Sequence, residues 1–168
     1  MSEAPLATQP LEVRVGDQLR AHGLTLAVAE SCTGGLLMHL LTNVAGSSAF
    51  LLGGIVAYAY EPKVALLGVN QDELVQYGAV SEVVAAQMAR GARKAFGADL
   101  AVSITGIAGP GGGMPGKPVG LTYIGLDAPD TAYVIRRVWP GNREENKRYS
   151  ADAALELLLE YLARRNRA

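Results

Sequence analysis

Residues 29–35 combine two hydroxyls, a thiol and two glycines between two apolar segments, in the sequence AESCTGG. The preceding LTLAVA predicts a short buried strand, and the following LLMHLL predicts a helix. In an open α/β sheet, ligands bind at the carboxyl ends of strands, and N–H groups at a helix start stabilise a developing oxyanion. Ser31 is therefore a candidate nucleophile, and the candidate oxyanion or substrate contacts beside it are Thr33, Gly34 and Gly35. A capped turn without a catalytic role is the alternative interpretation.

A serine nucleophile needs a base, and neither histidine of the chain is well placed to be that base. His22 precedes the predicted strand, and His39 lies about two turns into the following helix, where its side chain points away from the helix start. The flanking residues also lack the G-x-S-x-G pattern of many hydrolases. If Ser31 is a nucleophile, its base must therefore be a residue of another type.

Tyr58 and Lys63 supply the best candidate base, in the run Tyr-Ala-Tyr-Glu-Pro-Lys. Tyr58 falls at the end of a predicted strand, and Lys63 falls in the first turn of the next helix, so both can reach the sheet edge of Ser31. A lysine whose pKa is lowered by burial can act as a base, and a tyrosine hydroxyl can relay the proton or hold the serine. The alternative is a solvated lysine beside a packing tyrosine.

A glycine-rich loop, SITGIAGPGGG at 103–113, follows another predicted strand at 99–105. Main-chain N–H groups in glycine turns bind anions, so Thr105 and Gly106 are further candidate substrate contacts. The alternative interpretation is a mobile surface loop, which fits residues 111–116 better than residues 105–109. Two weaker candidates are Ser48, which follows a glycine, and Arg143, which could hold a phosphate by a bidentate contact.

Two patterns point to other chemistry and are set aside. Gly111 to Lys117 spells G-x-x-x-x-G-K, the start of a phosphate-binding loop, but Pro118 replaces the required Ser or Thr and a strand pattern follows. ATP hydrolysis is therefore not expected, although Lys117 could still contact an anion. Cys32 is a rival nucleophile, but a lone cysteine beside a strand end is usually a small buried filler.

Helix and strand patterns alternate through the first two thirds of the chain, and a hairpin and a long helix follow. This order predicts an α/β fold, a three-layer α/β/α sandwich with a mixed central sheet. The 168 residues suit one domain, at 10–168, after a flexible N-terminus at 1–9. A net charge of −1 argues against nucleic-acid or membrane binding. One cysteine and no visible signal peptide fit the cytoplasm.

Five motifs in order, AESCTGG, AGSS, the Tyr-x4-Lys unit, GAVSE and SITGIAGPGGG, resemble the CinA C-terminal domain family. That family includes nicotinamide-nucleotide amidohydrolases, and the resemblance covers about residues 10–163, as in its stand-alone members. It implies that Ser31, activated by Lys63 and Tyr58, converts nicotinamide mononucleotide and water to nicotinate mononucleotide and ammonia. No metal and no cofactor are expected, and the expected partners are a pyridine nucleotide and further copies of the chain, as in a dimer.

The chain departs from the family pattern at Tyr60, where relatives often carry asparagine within a Tyr-Ser-Asn-Glu-x-Lys run. If that asparagine positions the substrate, the substrate choice or rate of this chain differs. A second hypothesis, of another class, is a nucleotide-binding module without catalysis that acts in competence or the DNA-damage response. Ammonia release from nicotinamide mononucleotide distinguishes the two hypotheses.

Overall fold

The computed structural model describes residues 9–165, so all but the last residue of the predicted flexible terminus lie outside it. The helices are α1 (Leu11–His22), α2 (Leu36–Thr42), α3 (Tyr60–Leu67), α4 (Gln71–Tyr77), α5 (Glu82–Phe96) and α6 (Arg143–Arg165). The strands are β1 (Leu26–Glu30), β2 (Leu51–Val56), β3 (Leu100–Gly106), β4 (Leu121–Asp127) and β5 (Ala132–Val138). No helix among the described residues is long and apolar enough to cross a membrane.

The strands form one five-stranded sheet in the order β2-β1-β3-β4-β5. Strands β1, β2 and β3 are parallel, whereas β4 and β5 continue the sheet as an antiparallel hairpin. The predicted mixed sheet is therefore confirmed. The three parallel strands end at the same edge, which brings the segments after Glu30, Val56 and Gly106 together.

Two apolar layers hold helices against the two faces of this sheet. On one face, Leu26 and Val28 of β1 belong to a cluster with buried side chains of α1, α2 and α6. On the other face, Ala27 and Ala29 pack with buried side chains of α3, α4 and α5. Because β1 is buried on both faces, its sequence is an apolar run rather than an alternation. The arrangement confirms the three-layer α/β/α prediction.

Residue types predict helix N-caps at Asp72, Ser81 and Asn142, and the structure confirms those at Ser81 and Asn142. Ser81 accepts a hydrogen bond from Val84 N, and Asn142 and Glu145 cap each other reciprocally at the start of α6. The predicted cap at Asp72 is wrong, because α4 begins two residues earlier, at Gln71, and Asn70 accepts hydrogen bonds from the main-chain N–H groups of Asp72 and Glu73. An asparagine is as good a cap as an aspartate, so residue type alone did not decide between the positions.

Two segments around the sheet edge differ from the sequence pattern. The strand that the sequence pattern predicts to end at Tyr58 ends at Val56, since the chain turns there into α3. The predicted loop at 111–116 contains an ordered turn, in which the main chains of Met114 and Lys117 exchange two hydrogen bonds of 2.9 Å. Both differences shape the site, because these segments border the same edge.

Close packing of α3 on α5 depends on Gly91. A Cβ atom at this position would lie 1.9 Å from the carbonyl oxygen of Leu67 at the end of α3. Because that contact is with main chain, any larger residue would push the two helices apart. Gly91 thus fixes the depth at which α3, and with it Lys63, sits against the rest of the molecule.

Candidate active site

A cavity of about 260 Å³ lies where the parallel strands end. Six predicted site residues line it: Ser31, Tyr58, Lys63, Thr105, Gly106 and Arg143. They come from the segments after β1 and β2, from α3, from the end of β3 and from the start of α6. The parallel topology thus brings together residues that are far apart in the chain.

Lys63 and Ser31 form the centre of the cavity. Lys63 is 1% exposed, and its Nζ lies 3.0 Å from Ser31 Oγ, within hydrogen-bond distance. The same Nζ donates to the main-chain carbonyl of Ala57 at 2.6 Å and contacts those of Tyr58 and Ala59 at 3.3 and 3.4 Å. In the neutral amine, two N–H groups can satisfy these carbonyls while the lone pair faces the serine hydroxyl.

Burial controls the charge of this amine. Desolvation lowers the pKa of Lys63 from 10.5 to about 8, because removal from water penalises the ammonium form. With this pKa, roughly a tenth of Lys63 is neutral at pH 7 and about half at pH 8, and the neutral form is the one that a general base requires. The geometry and the lowered pKa together suit Lys63 to removing the Ser31 proton.

Tyr58 reaches the cavity, but its hydroxyl does not lie between Ser31 and Lys63. The phenol is 63% exposed and accepts a hydrogen bond of 3.1 Å from Arg143 Nη2. The contact of Tyr58 with Lys63 is made by its main-chain carbonyl. This geometry therefore does not support the expected role of the phenol as a proton relay. The hydroxyl instead holds Arg143 at the cavity mouth.

Cys32, the rival nucleophile, also lines the cavity. Its side chain is 7% exposed, and burial raises the pKa of the thiol to about 12. The thiol is therefore protonated at neutral pH and is a poor nucleophile. A Cβ atom built on Gly106 would lie 3.1 Å from Cys32 Sγ, so the thiol packs against this glycine.

The turn after Ser31 differs from expectation, because Glu30 occupies the start of α2. The buried Glu30 carboxylate accepts hydrogen bonds from Leu37 N at 2.9 Å and Met38 N at 3.0 Å. These two N–H groups belong to the first turn of α2, just after the predicted contacts Thr33, Gly34 and Gly35. Sequence reasoning missed Glu30, although an acidic residue shortly before a helix start is a recognisable signal.

Thr33, Gly34 and Gly35 do not line the cavity. Gly34 N donates to the carbonyl of Ser31 at 3.1 Å, and Thr33 Oγ1 is buried without a hydrogen-bond partner. Within residues 9–165, the N–H groups of Cys32, Thr33 and Gly35 donate to no main-chain acceptor. Of these three residues, Cys32 lines the cavity, so its N–H group is the candidate oxyanion donor of this turn.

Thr105 and Gly106 form the floor of the cavity. The fully buried Thr105 donates its hydroxyl to the carbonyl of Ala79 at 2.8 Å, which ties the end of β3 to the segment before α5. A Cβ on Gly106 would lie 2.7 Å from Thr122 Oγ1 and 2.8 Å from Leu121 O. Only glycine fits at this position, so close packing explains why the SITGIAGPGGG motif has a glycine at 106.

Helix α6 holds the glycine-rich loop through two side chains. Arg143 Nη1 donates to the carbonyl of Gly109 at 2.7 Å. One turn later, the buried Asn146 donates to the carbonyl of Ala108 and accepts from Gly141 N, both at 3.0 Å. The sequence indicated Arg143 but not Asn146. Only its burial in the folded structure distinguishes Asn146 from other polar residues of α6.

Two other predicted contacts, Ser48 and Lys117, do not line the cavity, and neither does Tyr60. Ser48 is exposed and precedes β2, so it lies at the opposite end of the parallel strands and is not brought to the cavity. The Lys117 amine donates to the carbonyl of Tyr77, and the Tyr60 hydroxyl accepts from Ala79 N at 3.4 Å, both beside the cavity. No group of three His, Cys, Asp or Glu residues within 9–165 could hold a metal ion.

The layered fold and the buried Ser-Lys pair define an α/β protein with a candidate serine-lysine site. The family model described as CinA C-terminal domain matches residues 8–162, so the chain belongs to this family and the resemblance found in the sequence is confirmed. The crystal structure of the competence/damage inducible protein CihA from Agrobacterium tumefaciens is 40% identical, with a TM-score of 0.87, and the match covers 95% of this chain and 98% of that chain.

Curated relatives of greater length are similar to this chain as well. A CinA-like protein of Gloeothece citriformis is 60% identical over 116 residues, which are 69% of this chain and 28% of the relative. A CinA-like protein of Sulfurihydrogenibium is 47% identical over 152 residues, 90% of this chain and 38% of the relative. The chain thus spans about a third of the length of these relatives.

Proposed function

We propose that the protein is a serine amidohydrolase that converts nicotinamide mononucleotide and water to nicotinate mononucleotide and ammonia. The observation that carries the proposal is the buried Lys63 amine, 3.0 Å from Ser31 Oγ and with its pKa lowered to about 8. This contact places a base within hydrogen-bond distance of the serine hydroxyl from which it would take the proton. The pyridine nucleotide is the substrate implied by the family resemblance.

In the first half-reaction, neutral Lys63 removes the Ser31 proton as Oγ attacks the carboxamide carbon. The carbonyl oxygen becomes an oxyanion, for which the main-chain N–H group of Cys32, a residue that lines the cavity, is the candidate donor. The Lys63 ammonium then gives its proton to the amide nitrogen, the C–N bond breaks, and ammonia leaves. The products are an acyl-Ser31 ester and neutral Lys63.

In the second half-reaction, Lys63 removes a proton from water, which attacks the ester carbon. The tetrahedral intermediate collapses with return of that proton to Ser31 Oγ, and nicotinate mononucleotide leaves. The same amine serves twice, so its pKa must let it lose and gain a proton with similar ease. Arg143 lies at the mouth, where its guanidinium offers a positive partner to the substrate phosphate.

The test measures ammonia and nicotinate mononucleotide after nicotinamide mononucleotide is added to the purified protein. We expect equimolar products, and a loss of at least about 1,000-fold in kcat for Ser31→Ala, because no other nucleophile is available. Ser47→Ala is the matched control, since Ser47 lies before β2 at the other end of the sheet. Full ammonia release by Ser31→Ala would exclude the proposal.

The non-catalytic alternative is also tested by this experiment. The relatives' names refer to competence and damage induction rather than to an amidase, which is the observation in its favour. Tight binding of the nucleotide by a folded wild-type protein, without ammonia release over hours, would support a binding module instead.

A further inference from the structure

A second groove adjoins the Ser31 cavity. Its volume is about 490 Å³, against about 260 Å³ for the cavity itself. The two spaces share four wall residues, Ala79, Val80, Ile107 and Gly112. A ligand that reaches Ser31 can therefore extend into the groove without leaving the protein surface.

The groove is bordered by exposed apolar and aromatic side chains. Tyr60, Val75, Tyr77 and Met114 line it with exposures of 44%, 69%, 44% and 59%. Large apolar side chains that cluster at one exposed place mark a binding site, whereas single ones do not. Two tyrosine rings and a methionine are also the groups that pack best on a flat aromatic ring.

The groove has an ordered rim and a positive charge. The Met114–Lys117 turn is closed by its two main-chain hydrogen bonds, and Lys117 Nζ is fixed on the carbonyl of Tyr77. No Asp or Glu lies among the described residues that line the groove. Negative groups of a ligand thus find one ammonium group and no opposing carboxylate here.

Size argues that the Ser31 cavity alone does not hold a ligand larger than a mononucleotide. Pockets for complete small molecules usually measure about 300–1,000 Å³, and the cavity lies below this range. A pyridine carboxamide at Ser31 with its ribose and phosphate would fill it. A larger substrate would pass along the shared wall and place its remaining part in the groove.

We propose that the groove binds a second flat aromatic ring of the substrate, so that the enzyme accepts amides of dinucleotide size as well as mononucleotides. The proposal rests on the proposed function, since it takes the carboxamide end at Ser31 as given. Tyr77 and Met114 stack on the distal ring, and Lys117 faces the phosphates that join the two halves.

The experiment measures binding with the Ser31→Ala protein, so that turnover does not interfere. Calorimetry gives the dissociation constants of nicotinamide mononucleotide and nicotinamide adenine dinucleotide. We expect the dinucleotide to bind about tenfold more tightly. Adding Tyr77→Ala or Met114→Ala should remove this difference and leave mononucleotide binding unchanged. Leu66→Ala, an exposed residue of α3 outside the groove, is the matched control.

Equal binding of the two nucleotides, or a difference that survives both groove substitutions, would overturn the proposal. Absence of binding by either nucleotide would overturn it as well. Ammonia release from the mononucleotide by wild-type protein tests the proposed function separately. Ammonia release from the mononucleotide, together with equal binding of both nucleotides, would refute the groove proposal but not the proposed function.

Discussion

The Lys63 amine meets two opposing requirements at one position. Burial favours the neutral form that can take a proton, while three main-chain carbonyls around Nζ stabilise the charged form that must exist between the two proton transfers. Desolvation leaves the pKa at about 8, lower than the usual 10.5. A base of this strength is poised for use near neutral pH.

The first prediction is that kcat/KM for ammonia release rises with pH and levels off above about 8. The sign follows from the neutral amine being the active form, whose fraction grows until pH exceeds the Lys63 pKa of about 8. Initial rates between pH 6 and 10 measure this profile. Lys63→Met should be inactive across the whole range, and a wild-type rate that falls from pH 7 to 9 would contradict the assignment.

Individual residues show what the sequence could and could not predict about the site. Ser31 and Lys63 were predictable because strand ends of a parallel sheet share an edge. The direction of the Tyr58 hydroxyl was not, since it is set by Arg143, 85 residues later in the chain. The roles of Glu30 and Asn146 were missed for a similar reason, because a polar residue's type does not reveal its burial.

Among the structural elements, α2 depends on a carboxylate outside its own sequence. This helix has seven residues, and no side chain of its N-cap residue, Gly35, is available for capping. Glu30, the last residue of β1, supplies the cap instead. The same contact fixes the direction of the chain as it leaves β1, which sets where Ser31 points.

We expect Glu30→Gln to lower the free energy of unfolding by about 1–3 kcal/mol. The substitution replaces two charge-assisted hydrogen bonds by at most one good neutral one at a buried site. Urea denaturation of both proteins measures the loss. Glu61→Gln, on the exposed first turn of α3, is the control and should have no measurable effect. Equal stability of Glu30→Gln and wild type would exclude the capping role.

Helix α6 positions the glycine-rich loop through Asn146. Its amide donates to Ala108 and accepts from Gly141, so the two contacts can be separated by substitution. Asn146→Asp keeps the acceptor for Gly141 N but faces the Ala108 carbonyl with an oxygen. This variant therefore perturbs the loop side of the contact more than the Gly141 side.

For Asn146→Asp we predict a rise of about tenfold in KM with a smaller fall in kcat, because the loop walls the cavity but does not carry the nucleophile. Steady-state kinetics with nicotinamide mononucleotide measure both constants. Asn142→Asp, a cap residue for which aspartate is equally suitable, serves as the control. A loss confined to kcat would contradict a positioning role for Asn146.

On the scale of the whole molecule, two buried groups link folding to pH in opposite directions. Lys63 has a folded pKa of about 8 against 10.5 in the unfolded chain, so the unfolded state binds more protons between these values and stability rises with pH. Burial raises the pKa of Cys32 from 9.0 to about 12, so the unfolded thiol ionises first and stability falls above pH 9.

The free energy of unfolding should therefore rise by roughly 0.5–1 kcal/mol from pH 8 to 9 and flatten above that. Urea denaturation at half-unit pH steps measures the curve. Lys63→Met should lack the rise, because it removes the group that titrates. A wild-type protein that loses stability between pH 8 and 9, or a variant that keeps the gain, would refute this linkage.

The alpha/beta architecture was predictable as a whole because the buried strands and capped helices carry strong local patterns. The division of helices between the two sheet faces depends on packing, which the sequence does not reveal. Gly91 is an example, because its close contact with Leu67 is visible only in the folded structure. Self-association of the protein stays a prediction.

The three main-chain carbonyl oxygens that contact Lys63 Nζ have an evolutionary consequence. Ala57, Tyr58 and Ala59 each contribute a peptide oxygen rather than a side chain, so substitutions there can accumulate without displacing the base. A change of side chain at Tyr60 can then alter the neighbouring surface while the main-chain contacts to Lys63 are kept. Insertions or deletions within 57–62, which would shift the peptide oxygens themselves, are the changes that selection should remove.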